Sequence, residues 1–163
     1  MMYRNKPSSM VRKFLNVRNE DIFVDYTPTF RTKFYFFYGP LVDPDQLARV
    51  LHLDERPVTR PASVEPYSYK MWGPYPALID ANKGNVVRGV AFEVTSKEME
   101  TRIEGEYERT DVYKKLCTKI DFENGDPSLW GLTFMWKGAG DDPELREGSF
   151  DLREWQSQRV VVE

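Results

Sequence analysis

Cysteine, histidine and surplus positive charge are nearly missing from this 163-residue chain. The one cysteine, Cys117, cannot form an intramolecular disulfide and has no second thiol with which to build a zinc site, so a disulfide-stapled secreted scaffold is excluded and a cytoplasmic setting is expected. The one histidine, His52, removes histidine-rich metal sites and would leave a Ser-His-Asp triad resting on a single residue in a poor context. A carboxylate is therefore the expected acid or base. A net charge of −3 supplies no field for neutralising phosphates, which argues against nucleic acid as a partner. There is no run of about 18 apolar residues, and the opening Met1-Met2-Tyr3-Arg4-Asn5-Lys6 lacks the apolar stretch of a signal peptide, so a soluble protein without a membrane partner is expected.

What the chain does have is core-forming material: 40% hydrophobic residues, with 4 Trp, 9 Tyr and 10 Phe. At this length that fits one folded domain. Residues 1–33 read as an N-terminal extension, basic and without an acid up to Asn19, and residues 34–163 as the domain. The run Phe34-Tyr35-Phe36-Phe37-Tyr38, stopped by Gly39-Pro40, predicts a buried strand ending in a turn. Asp43-Pro44-Asp45 then caps a short amphipathic helix carrying Leu47, Val50 and Leu51 and closed by His52.

Three prolines between Arg56 and Pro66 predict a loop with at most an edge strand. Strands are expected at 67–72, 75–79 and 86–94, arranged as a meander. Thr95-Ser96-Lys97-Glu98 has the spacing of a capping box, and Met99, Ile103 and Tyr107 mark the core stripe of the helix it opens. A hairpin follows, 116–122 and 129–136, and Asp151 caps a last helix through Trp155. Trp130 and Trp136 share a strand face and read as core or pocket wall; Cys117 reads as a plain strand thiol.

Two places offer chemistry. The strand end at Tyr38-Gly39-Pro40-Leu41 can curl its backbone amides around an anion, with Gly39 supplying a positive φ as in a small nest. On the middle helix, Glu100, Glu104 and Glu108 form an acidic stripe expected to face solvent, with Glu108 expected where the helix frays beside Tyr107 and Tyr113. Partial desolvation there would suit a carboxylate to proton transfer.

In order along the chain, Phe37-Tyr38-Gly39-Pro40-Leu41, Tyr75-Pro76-Ala77-Leu78 with the strand to Val94, Tyr107-Glu108-Arg109-Thr110-Asp111-Val112-Tyr113, and the ending from Gly131 through Asp151-Leu152 to Trp155 resemble the gamma-glutamylcyclotransferase-like superfamily, in its avirulence-induced-gene-like, fungal-type form. The resemblance spans roughly residues 34–156. It implies an α+β fold, a small mixed β-barrel with flanking helices. It also implies intramolecular aminolysis of a gamma-glutamyl amine or amino acid, releasing 5-oxoproline without metal, nucleotide or other cofactor. Under it Glu108 is the general acid/base, with Glu104 or Glu106 the counterpart if the register slips. Tyr38, Gly39, Pro40 and Leu41 cradle the substrate carboxylate, and Tyr113 lines the pocket. Pro40 brings no N–H to that cradle, and Phe134 stands where many members carry a tyrosine. These departures leave two other readings open: the same glutamate serving a different proton transfer or cyclisation in a biosynthetic pathway, and a non-catalytic binding module recruited through the basic extension.

Overall fold

The computed structural model describes residues 29–162, so the extension assigned to residues 1–33 lies almost wholly outside the described residues. Seven strands, β1 (Lys33–Phe37), β2 (Arg60–Val64), β3 (Tyr67–Trp72), β4 (Tyr75–Asp80), β5 (Val87–Val94), β6 (Tyr113–Phe122) and β7 (Leu129–Trp136), are joined by α1 (Pro44–Leu51), α2 (Lys97–Glu108) and α3 (Leu152–Val162). The sheet order is β1-β5-β2-β6-β7-β4-β3, and β7 also pairs with β1. Five strands, β1, β5, β2, β6 and β7, thus close into a barrel, while β4 and β3 continue outward from β7. Closure removes the free edges that an open sheet would expose.

The aromatic run of β1 is buried on both faces, which is why it lacks the polar alternation of a half-exposed strand. Phe36 and, just beyond the strand, Tyr38 join Val64, Ala91, Ile120 and Met135 in a cluster without helical members, the barrel interior. Tyr35 and Phe37 point the other way, beneath Leu47 of α1 and Ile103 of α2. Each such side chain removed from water contributes about 1.5–3 kcal/mol, so β1 is the common wall of both cores. Two of the three expected helix starts are capped as the sequence predicts. Asp43 Oδ1 accepts the Asp45 amide at 3.0 Å, and Asp151 Oδ1 accepts that of Glu154 at 3.0 Å.

Several expectations need correction. The stretch from Arg56 to Pro66 is not a loop with an edge strand: its second half is β2, an interior barrel strand between β5 and β6. Pro61 is tolerated because β6 pairs only with Ala62 and Ser63, one step further on. The strands from 67 to 94 are not a meander either, since β3 and β4 form a hairpin but β5 leaves to pair with β1 and β2. The middle helix is capped by Ser96, whose Oγ accepts the Met99 amide at 3.2 Å, rather than by Thr95. Trp130 is 70% exposed while Trp136 is 4% exposed. Their shared face is covered by the β3–β4 side only at the Trp136 end, where Trp72 and Leu145 pack.

The acidic stripe also breaks up. Glu100 is buried, not solvent-facing: its carboxylate takes Lys33 Nζ at 2.8 Å and the Tyr35 hydroxyl at 2.7 Å, pinning α2 to β1. Burial pushes this carboxyl up, but the hydrogen bonds from Lys33 and Tyr35 and the charges of Lys33 and Lys115 outweigh it and hold the group below its usual 4.5. A carboxyl depressed in the folded state stabilises the fold above its unfolded value and loses that contribution as pH falls through the lower folded value. Thermal stability is therefore expected to drop below about pH 4.5, and Glu100→Gln should flatten that acid limb in a melting-temperature series from pH 6 to pH 2.5. Among the described residues, no helix is long and apolar enough to cross a membrane.

Candidate active site

The site begins where β1 parts from β7. One edge of β7 serves two strands in turn: Leu132 pairs with Tyr35 of β1, and Met135 pairs with Leu78 of β4, both parallel. Tyr38 fills the fork between them. Its hydroxyl donates to the Phe134 carbonyl at 2.6 Å and accepts the Leu78 amide at 2.9 Å, supplying the backbone partners that neither strand can provide at the divergence. Burial, then the nearby Tyr107 and Tyr113, pushes this hydroxyl well above its usual value, against a smaller opposing effect from the Leu78 amide. Tyr38→Phe leaves both buried groups without that partner and should destabilise by about 2 kcal/mol, read from the denaturant midpoint.

Immediately after Tyr38 the chain enters a short 3-10 turn, Pro40–Val42. The turn's own hydrogen bonds run from the Val42 and Asp43 amides to the Gly39 and Pro40 carbonyls. The Gly39 and Leu41 amides stand outside them. Gly39 has φ −125°, so the positive φ expected of a nest is absent. Glycine matters here through space instead, because a Cβ at Gly39 would come within 3.1 Å of the Pro76 ring.

A cleft opens on this turn. It is floored by Tyr38 and the residues Gly39 to Leu41, and walled on one side by Tyr75 and Pro76 of β4 and on another by the end of α2 with Tyr113 of β6. Trp155 of α3 completes it. The C-terminal helix is brought there by the buried Asp43 carboxylate, whose second oxygen accepts Gln156 Nε2 at 2.9 Å. Thus one aspartate both caps α1 and ties α3 beside the turn. Tyr113 donates its hydroxyl to the Pro76 carbonyl at 3.0 Å, linking β6 to β4 across the cleft. Tyr107 lies flat on Phe134, ring centroids 3.9 Å apart, and meets Tyr113 edge to face at 5.2 Å.

All five residues expected to bind substrate, Tyr38, Gly39, Pro40, Leu41 and Tyr113, line this one cleft although 72 positions separate the turn at Leu41 from Tyr113 in sequence. The three candidate glutamates separate clearly. α2 does not fray before Glu108; it runs through that residue, which is exposed and absent from the cleft wall. Glu104 is held by Lys115 of β6 on a different side of the helix. Glu106, side chain one-third exposed, is the acid on the cleft wall. Of the three acids weighed from the sequence, the one that borders the cleft is thus Glu106, one of the two register alternatives, and Glu108 lies off it. A helix turns 100° per residue, so two positions along an unbroken helix carry a side chain to the opposite side.

Electrostatics narrow the chemistry further. Burial, then Tyr113 and the Glu106 carboxylate, raises the Tyr107 hydroxyl above its usual range; burial, then Tyr75, does the same to Tyr113. With Tyr38 these hydroxyls stay protonated and act as neutral hydrogen-bonding groups. Glu106 is left as the one cleft-lining carboxylate among the described residues, in contact with Arg109 Nη2 at 3.5 Å. Sequence reasoning singled out neither Arg109 nor Gln46 as site residues, and it gave Tyr75 and Trp155 only as motif residues. No local signal marks them, because the cleft exists only once α2, β4 and α3 converge. His52 lies elsewhere, against Arg102.

Residues 35–157 match the family model described as gamma-glutamyl cyclotransferase, AIG2-like. Over 126 residues, 74% of this chain and 70% of the other, the sequence is 31% identical to AIG2-like protein A of Arabidopsis thaliana. The fold is similar to the solution structure of At3g28950.1 from Arabidopsis thaliana, with a TM-score of 0.59 and 20% identity over 85% of this chain and 81% of that one. It is also similar to a yeast gamma-glutamyl cyclotransferase specific to glutathione, with a TM-score of 0.52 and 10% identity over 81% and 87% of the two chains.

Proposed function

The chain belongs to the gamma-glutamyl cyclotransferase, AIG2-like family, and on that premise we propose that it is a cyclotransferase-like enzyme that cyclises a gamma-glutamyl compound to 5-oxoproline, with Glu106 as the proton shuttle. The observation that carries this reading is the placement of one carboxylate, Glu106, on the wall of the cleft whose floor is the Gly39–Leu41 turn.

The reaction needs little beyond that. The substrate's α-amine attacks its own γ-carbonyl carbon, a C–N bond forms to close a five-membered lactam, and the C–N bond to the leaving amine breaks. Glu106 accepts a proton from the attacking nitrogen and returns one to the departing nitrogen, so no water is consumed and the carboxylate is regenerated. Nucleophile and electrophile belong to one molecule, so holding the bent conformer supplies much of the rate. In this reading the Gly39 and Leu41 amides, which the turn's own hydrogen bonds leave aside, receive the substrate's carboxylate, while the Tyr38 and Tyr113 hydroxyls, donating to the Phe134 and Pro76 carbonyls, hold the cleft walls in place.

The test is release of 5-oxoproline from a panel of gamma-glutamyl dipeptides, glutathione and gamma-glutamyl amines. Release from one or more members, at a rate proportional to enzyme, is expected. A folded protein that releases none across the panel would move the different-reaction and binding-module readings ahead.

A further inference from the structure

Resting on that reading, we infer that Arg109 is the charged anchor for the α-carboxylate of the gamma-glutamyl group, standing in for the donor that Pro40 withholds from the turn. Three observations carry this. Arg109 is the one cationic side chain among the described residues lining the cleft, and its side chain is 71% exposed, so most of its five donors remain open to a ligand. Its contact with Glu106 is long, 3.5 Å, an ion pair without a tight hydrogen bond from which the guanidinium can turn. Finally, the turn is short of donors: Pro40 has no N–H, and the Val42 and Asp43 amides are spent on the Gly39 and Pro40 carbonyls.

Substrate geometry joins these points. The α-amine and α-carboxylate hang from the same carbon, so a base close enough to accept the amine's proton brings the guanidinium paired with it, 3.5 Å away, within reach of the carboxylate. A carboxylate offers two oxygens, and the turn meets them with two uncharged amides. Arg109 adds a planar fork that matches a carboxylate and neutralises its charge. The competing account is an ordinary solvent-exposed pair at a helix end, which contributes little and serves no ligand.

The two accounts separate on paired substrates. Gamma-glutamyl-p-nitroanilide and 4-aminobutyryl-p-nitroanilide present the same amide and amine, but only the first bears the α-carboxylate; they cyclise to 5-oxoproline and 2-pyrrolidinone. The wild type is expected to favour the first by about tenfold or more in kcat/KM, mostly through KM. Arg109→Ala should collapse that ratio, Arg109→Lys should keep part of it, and adding Pro40→Ala to Arg109→Ala, which restores an amide donor, should recover part. An unchanged ratio in Arg109→Ala overturns the inference while leaving the cyclisation reading intact. If the wild type cyclises no gamma-glutamyl compound, that reading fails, and ligand-observed NMR decides the anchor separately. Tighter binding of 5-oxoproline than of 2-pyrrolidinone, lost in Arg109→Ala, upholds it, and equal binding overturns it.

Discussion

Glu106→Gln is expected to lower the rate of 5-oxoproline release by about a hundred- to ten-thousandfold without unfolding the protein. Glutamine keeps the shape and hydrogen-bonding reach of the side chain but cannot accept a proton, so the loss should fall on kcat with little change in KM. Stability should hardly move, because the contact that Glu106 makes with Arg109 is a partly exposed ion pair at 3.5 Å. The neighbouring acids sharpen the result. Glu108→Gln alters an exposed carboxylate off the cleft wall, and Glu104→Gln releases Lys115 on another side of α2. Each should retain wild-type turnover to within a few-fold. Should Glu108→Gln or Glu104→Gln be the inactive variant instead, the proton shuttle is a different acid of the same helix, and steady-state rates of the three purified proteins would reveal it directly.

Gly89→Ala is expected to destabilise the protein by about 3 kcal/mol or more, enough to compromise folding at 37 °C. Gly89 lies in β5 where that strand crosses β1, and a Cβ there would stand 2.0 Å from the Phe37 carbonyl oxygen. The obstacle is backbone, so no rotamer change relieves it; β1 and β5 must move apart at the point where their ladder, Phe37 opposite Val90, ends. The displacement would reach the site, since Tyr38 and the Gly39–Leu41 turn follow Phe37 directly. Activity should therefore fall with stability. Gly105 provides the contrast: it sits inside α2 with nothing within 4 Å of the place a methyl group would take, so Gly105→Ala should stabilise by about 0.5–1 kcal/mol through helix propensity alone. Denaturant titrations of both variants check the opposite signs.

Much of the architecture was legible along the chain. The β1 aromatic run, the Asp43 and Asp151 caps and the hairpin of β6 and β7 are local patterns, in which neighbouring residues determine the outcome. β2 was not, because three prolines in eleven residues are a strong local signal against a strand, and only the offset start of the β6 ladder makes Pro61 harmless. Glu100 misled for a related reason. Its spacing matches Glu104 and Glu108, yet it faces Lys33 and Tyr35, residues about 65 positions away, whose hydrogen bonds offset the cost of burying it.

By itself, then, the sequence determined the fold class, the strand that ends in the turn flooring the cleft, and the group of acids from which the one at the cleft comes. It did so because caps, turns and alternation are short-range physics, and because one cysteine and one histidine leave few other chemistries. Which glutamate enters the cleft was decided only in three dimensions. That choice depends on α2 staying helical through Glu108, which sets the side-chain directions, and on Lys115 of β6 drawing Glu104 away. Arg109, Tyr75 and Trp155 likewise became one surface only when barrel closure, the β3–β4 hairpin and the Asp43–Gln156 bond brought α2, β4 and α3 together.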